Sequence, residues 1–600
     1  MRFPCLALIF LLTLASAHAS EAPDISPFLP ELKPWKLVKG TQQSDLLGSE
    51  VPRVPELIYQ RNVSASIDPV ITTPLVEGGR LFLADGGGLY ALNASTGELL
   101  WGVDVAAVAE APAGGAGGYI ELEKDKRARQ GWDVERWRFL ALGTGLTYFS
   151  YGVGKHAYIA TATTQPDVLK PYEEPVLIAI DKSTGEVLWQ RKFGFKEQSA
   201  SGNLIVSEGM VCVAAENRIY CFTEDGEPAW SYQVEGGAVL GFAASDGVLY
   251  ATTPGTAEEK AALYAFDMKS GRLLWKYSPG GGMSAPVAKR GRVFVLSDGL
   301  VALSEDGKEL WRKSLGTGSD IYGNPYLAVS ESRLYAVRDL GERPLNLYVL
   351  DFSGNVVGNF TFAEDEQPAG APVVAGNLVL LPVVKWGENA YTKIYLLWRG
   401  TAKLHELSYS GREVARPKAS AAGGRIYALW WLGSRAEAKH QLTVFGDEEA
   451  PEISDVTYVR SARASESVKI SATLGDGRSA IYRAVLFYRV NGSAWQSVEM
   501  LPERRYVMEP IGGYGFEAEP FAASIPAQEA GSVVSYLVAA VDSVGNYAFS
   551  EVRRYEVKPA PAAETPAGKP APSEKKGICG PTLVLLLALI PFLRRWWHEV

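Results

Sequence analysis

The sequence predicts an all-β protein, an eight-bladed β-propeller followed by a β-sandwich, on three observations. A unit of strand, turn and strand recurs along the body, tryptophans close the units at blade-like spacing, and 61 glycines with 11% aromatic residues suit short strands and tight turns. Six hundred residues exceed what one hydrophobic core holds, so more than one domain is expected.

The recurring unit is clearest in three copies. Leu89, Tyr90, Ala91, Leu92 and Asn93, followed by Thr96, Gly97 and Trp101, return as Leu177, Ile178, Ala179, Ile180 and Asp181 with Thr184, Gly185 and Trp189. They return again as Leu263, Tyr264, Ala265, Phe266 and Asp267 with Ser270, Gly271 and Trp275. Versions with shorter turns lead to Trp230 and Trp311, and degenerate copies follow around 347–354, 394–400 and 425–430. Each copy is half of a four-stranded sheet, and such sheets bury both faces only when stacked radially. Trp189, Trp230, Trp275 and Trp311 are 41, 45 and 36 residues apart, close to one propeller blade. The small residue opposite each tryptophan leaves room for an indole, which is a structural role.

Innermost strands are placed near Val70, Gly145, Leu204, Val239, Pro286, Tyr326, Val373 and Ala415, giving a propeller over 50–447. The last blade offers three strands up to Phe445, so Glu56 to Val63 is expected to supply its outer strand and close the ring. A seven-bladed count is the alternative, because the 88 residues from Trp101 to Trp189 are read as one blade plus an insertion over 106–137.

The repeat resembles the pyrroloquinoline-quinone-type, or quinoprotein-like, propeller repeats, whose signature is Ala-x-Asp-x-x-Thr-Gly with a tryptophan a few residues on. The resemblance covers most of 56–446. It implies the propeller fold; the family includes dehydrogenases, assembly scaffolds and repeats that bind no cofactor, so function has to be argued from the site.

Strand direction alternates within a blade, so connections of strands one to two and three to four share one face. These are tight, whereas the other classes hold every long connection, from the 106–137 insertion to Leu432–His440. Long loops on a rigid scaffold are where recognition sits. The residues expected on that face are Trp132, Trp137, Tyr172, Arg343, Trp386, Tyr391 and Arg435, a mixture of aromatics and charge suited to a protein or glycan partner. Solvated loops without a partner are the plainer alternative.

A second domain over 450–557 alternates as a sandwich does. Leu486, Tyr488, Asn491, Gly492 and Trp495, then Tyr536, Asp542, Gly545 and Asn546, resemble the fibronectin-III or immunoglobulin-like modules of microbial surface proteins. The ends point to export. Residues 1–19 carry Arg2, an apolar run from Leu6 to Leu14, and Ala17 and Ala19 placed as a signal-peptide cleavage site. Residues 558–577 form a proline-rich stalk, and 578–600 combine Cys579, Gly580 and Pro581 with a short apolar stretch and Arg594 and Arg595. That order resembles the CGP-type C-terminal sorting signals of archaeal surface proteins. It implies anchoring at the outer face of the cell membrane, with Cys579 either lipidated after cleavage or retained beside a short span.

Cys212 and Cys221 flank a two-residue hairpin loop that sets them directly opposite, so a disulfide is expected in an exported chain, with two buried thiols as the alternative. Asn62, Asn359 and Asn491 begin glycosylation sequons. His156, His405 and His440 are scattered without metal-ligand spacing, and no catalytic motif is found. A net charge of −9 argues against a nucleic-acid partner. The vicinal cysteine pair of many quinone-dependent alcohol dehydrogenases is absent. The expectation is a non-catalytic surface scaffold with no cofactor and no metal. The alternative is an oxidoreductase using the quinone with calcium.

Overall fold

The computed structural model describes residues 51–52, 55–63, 73–84, 88–104, 146–163, 176–193, 203–215, 217–279, 281–315, 326–337, 344–387, 390–409, 417–432, 439–479, 481–503, 518–542 and 544–560. Among them every regular element is a β-strand, and no helix is long and apolar enough to cross a membrane. The signal peptide, the Cys579–Pro581 segment and the stalk from 561 onward lie outside the described residues, and Lys558, expected to begin the stalk, instead ends the strand Arg553–Lys558.

Eight sheets make the propeller. Blade one contains Leu75–Glu77, Arg80–Ala84, Gly88–Asn93 and Leu99–Asp104, each paired antiparallel to the next, and blades two to six repeat that order. Blade seven has five strands. Blade eight is built from Lys418–Ala422, Arg425–Leu432 and Lys439–Gly446, and its outer strand is Glu56–Val63, paired antiparallel to Lys439–Gly446. The expected closure by the N-terminal strand is therefore present, and the count is eight rather than seven. The innermost strands begin at Leu75, Leu146, Leu204, Gly241, Val287, Tyr326, Val373 and Lys418, and each contacts its neighbours round the ring until the eighth meets the first.

The core lies between blades. Eight separate hydrophobic clusters each draw on two adjacent blades; one joins Phe82 and Leu89 to Tyr151 and Ile159, and the last joins Leu429 and Val444 to Leu81 and Leu92. Successive side chains point to opposite faces of a strand. Ala91 accordingly packs toward blade two and Leu92 toward blade eight. Both faces being buried, the inner strands read as continuous apolar runs, as in Val176–Ile180.

The repeat motif now has a physical reading. Asn93, Asp181 and Asp267 each turn a side-chain oxygen onto backbone N–H groups of the turn that follows; Asp181 Oδ1 accepts from Ser183 N at 2.8 Å and Thr184 N at 2.9 Å. These bonds to the ionised form hold the Asp181 carboxyl below its usual range. The tryptophan of one blade then docks on this turn in the next. A Cβ on Gly185, Gly226, Gly271, Gly307 or Gly354 would fall 2.4–2.8 Å from Trp101, Trp189, Trp230, Trp275 or Trp311 respectively, so only glycine, also needed for the positive φ, fits there. Each indole N–H is donated to a carbonyl of the same turn, as from Trp230 to Met268 O at 3.0 Å. The room left by the alanines is thus filled together with a contact across the blade boundary.

A register shift recurs in the outer strand of every blade, for example between Ala91 and Leu92 and between Ala265 and Phe266. The extra residue precedes the tryptophan and is turned outward, leaving Leu100 and Leu310 exposed. Such a bulge re-aims the side chain that follows it. Blade eight replaces the indole with Tyr59, which lies against Gly97 and donates its hydroxyl to Ala94 O at 3.0 Å. Blade six has Gly358 at the tryptophan position, and Tyr335 covers Gly400 instead.

Residues 450–557 form one continuous nine-stranded sheet, with Gln496–Pro502 pairing both Ile481–Val490 and Glu519–Ile525. The sheet curls over a core of Ile470, Leu486, Tyr536 and Val538. A β-sandwich was expected here, and Gln496–Pro502 links the strands into a single path.

Trp230→Ala should lower stability by roughly 3 kcal/mol, measured by denaturant unfolding of the disc. Combined with Gly271→Ala it should lose less than the sum of the single changes, because the added Cβ no longer meets an indole. Strict additivity would show that the contact is not the source of the coupling.

Candidate functional site

The two faces of the disc differ by strand connectivity. Connections of strands one to two and three to four span two to six residues wherever the chain runs directly between them, blade eight taking its fourth strand from Glu56–Val63 instead, whereas the other classes reach 12 residues between Thr163 and Val176 and 41 between Asp104 and Leu146. Of the residues expected on this elaborated side, Trp132, Trp137, Tyr172, Arg343 and Arg435 lie outside the described residues. Trp386 and Tyr391 are described, and both belong to blade seven.

Blade seven is built differently from the others. Its strands Leu378–Lys385 and Tyr391–Trp398 are each eight residues long, and two strands rather than one lie along the first. The inner half of the first is covered by Val373–Ala375 and its outer half by Glu366–Pro368, so the hairpin is supported to its tip. Trp386 stands at the tip with 46% of its surface exposed. Tyr391 is not available in the same way: its hydroxyl is donated to Glu366 Oε1 at 2.6 Å.

Glu366 organises the platform. It is 1% exposed and accepts from Tyr391, from the buried Tyr395 hydroxyl and from Ala363 N, the last at 2.8 Å to Oε2. Burial and then the bond to Glu366 push both tyrosine hydroxyls well above their usual range, so they remain donors. Lys393 lies 4.5 Å from the Tyr391 ring centroid and pairs with Glu406 at 3.0 Å, while Lys385 lies 3.7 Å from Asp365. The arrangement can hold an exposed indole rigidly among mixed charges. Sequence reasoning missed Glu366, because the run Glu364-Asp365-Glu366 has the composition of a solvated turn.

Residues 56–135, 125–240 and 235–381 match the family described as outer membrane protein assembly factor BamB, more than half of the chain in all. The chain belongs to this BamB family. The family region runs from the closing strand into blade seven and takes in all five docked tryptophans. A tetrathionate hydrolase of Acidithiobacillus ferrooxidans is 25% identical over 316 residues, 45% of this chain and 60% of that protein. This BamB-family chain thus spans about 60% of the length of the curated relative it matches. Among solved structures, Sqt1 of Saccharomyces cerevisiae aligns at 10% identity with a TM-score of 0.41, covering 65% of this chain and 98% of that one. Hsv2 of Kluyvelomyces marxianus aligns at 12% identity with a TM-score of 0.32, covering 62% and 97%.

The quinone suggested by the repeats was tested against the residues present. Cys212 and Cys221 lie opposite one another on neighbouring strands of blade three, joined by a disulfide and separated by 9 positions in sequence, so they are not a vicinal pair. Among the described residues, the group of acidic side chains close enough to share a cation lies beyond the last propeller strand. Among the described residues these features give no positive support for a quinone with calcium in this BamB-family chain.

Blade eight adds a buried base, His440, and a partly buried one, Lys418. Burial pulls Lys418 down to about 8, and burial together with the Lys418 charge pulls His440 down to about 4. His440 is 3% exposed, and its Nδ1 has no hydrogen-bond partner. His405, opposite Leu396 in blade seven, is also held below its usual range by burial. These histidines sit in different sheets and make no joint site.

Glu366→Ala leaves two tyrosine hydroxyls without their acceptor and should cost roughly 2–4 kcal/mol, read from denaturant unfolding; Glu366→Gln, which keeps an acceptor, should cost less. His440 has a folded-state value below its unfolded one, so its contribution is complete above about pH 6.5 and is lost as pH falls through about 4. His440→Leu should remove roughly 3 kcal/mol of that acid sensitivity, seen by comparing melts at pH 7 and pH 4; an unchanged difference between the two would show that another group titrates.

Proposed function

We propose that this chain is an exported scaffold anchored at the outer face of the cell membrane, which binds a protein or glycan partner through the elaborated side of its propeller and does no chemistry itself. The observation that carries the reading is the asymmetry of connections, with the blade-seven hairpin holding Trp386 exposed on a stiff support. Exposed aromatics on rigid elements are typical anchors of recognition. The curled C-terminal sheet serves, in this reading, as an immunoglobulin or fibronectin-III-like spacer. The stalk over 558–577 and the Cys579-Gly580-Pro581 signal tether it, and residues 1–19 direct export. Asn359 and Asn491 are exposed and available to carry glycans.

The match to a tetrathionate hydrolase favours a second reading, an enzyme on the same scaffold. Two measurements separate the readings. Trp386→Ala, and deletion of 106–137, should each reduce capture of partners from native membranes at least tenfold while leaving the melting temperature of the disc within a degree or two. Titration of the folded protein with pyrroloquinoline quinone and calcium should give no saturable absorbance change, and tetrathionate should not be consumed. Undiminished capture by both variants, or saturable quinone binding, would replace the scaffold with the enzyme.

A further inference from the structure

Three carboxylates meet where the propeller passes the chain to the C-terminal sheet. Asp447 follows the strand Lys439–Gly446, Asp476 follows Val468–Gly475, and Asp542 ends Val533–Asp542. One oxygen of each lies within 4.8 Å of the other two. The residues are 7%, 7% and 0% exposed respectively.

Neighbouring donors fix the carboxylates without neutralising them. Asp447 accepts from Glu449 N at 2.9 Å and from Ser479 Oγ at 2.5 Å. Asp476 Oδ1 accepts from Arg478 N at 2.8 Å and Ser479 N at 2.7 Å. Asp542 Oδ1 takes the N–H groups of Val544, Gly545 and Asn546, and its Oδ2 takes Asn546 Nδ2 at 2.9 Å. The same Nδ2 donates to Asp447 O at 3.0 Å.

Asp476 Oδ2 stands apart from this network. It is buried and has no hydrogen-bond partner. The nearby Arg478 directs its Nη atoms to Glu56 and Glu449, and among the described residues no cation pairs with any of the three aspartates. Buried like charges at this separation are unfavourable unless something positive lies between them.

We propose that Asp447, Asp476 and Asp542 together bind a calcium-type divalent cation that fastens the C-terminal sheet to the exit of the propeller. The donors are all hard oxygens, which selects for this class over thiolate- or imidazole-seeking metals. Carboxylates completed by carbonyl, hydroxyl and water oxygens are the usual calcium set. Because Asp447 leaves the last propeller strand and the other two come from the C-terminal sheet, the ion cross-links the two domains.

The test uses the full chain, stripped with a chelator and titrated with calcium chloride by calorimetry and by thermal melting. One calcium per chain and a higher melting temperature are expected. Asp476→Asn keeps an acceptor for both backbone N–H groups and removes one like charge. It should lose the calcium heat yet melt at or above the wild-type temperature in chelator, a gain that a merely damaged fold would not show. If it does not fold, Asp447→Asn is measured in the same way. No calcium heat in the wild type, or an undiminished calcium response in the folded variant, overturns the proposal.

Discussion

The propeller depends on an indole from one blade lying against a glycine of the next, where no Cβ could be accommodated. Five such contacts link blades one to six, and Tyr59 makes the equivalent one from blade eight to blade one. The other regularities serve this contact. The aspartate or asparagine before the turn fixes its shape through its own N–H groups, the bulge ahead of the tryptophan aims the ring, and the small residue opposite makes space. The stability of one blade is therefore expressed largely at its boundary with the next, as in other repeat architectures.

That dependence explains which parts of the molecule are legible in the sequence. Blades one to five announce themselves because the docking partners must be Trp and Gly at fixed spacing. Blades six and seven are faint because Tyr335 covers Gly400 and His405 stands at the tryptophan position. Blade eight has no turn between its third and fourth strands, since the fourth comes from Glu56–Val63, so it has no glycine for blade seven to dock upon. The facing pair Cys212 and Cys221 is readable from a two-residue loop alone, because register follows directly from loop length.

The candidate site is less legible, for a chemical reason. Glu366 and Asp447 sit in acidic, turn-like stretches and Asp476 in a glycine-flanked turn, compositions that indicate solvent exposure, yet each is buried. Burial of a charged group is a tertiary property, and one-dimensional pattern reports only the local surroundings. Trp386 stands out in the sequence as an aromatic in a long connection, and the structure leaves it exposed, while the support beneath it is not legible. Tyr391 was expected beside it as a contact residue, and the structure instead ties its hydroxyl to that support.

Closing the disc with a strand from the front of the chain also imposes an order in time. Glu56–Val63 pairs with Lys439–Gly446, so the earliest strand made must wait for nearly the last segment of the propeller before its hydrogen bonds can form. Pairings between such distant segments are slow to form because loop-closure entropy must be met first. Until that late segment arrives, the seam between the eighth blade and the first stays open. The clasp that closes the finished disc therefore leaves every earlier stage of it unclosed.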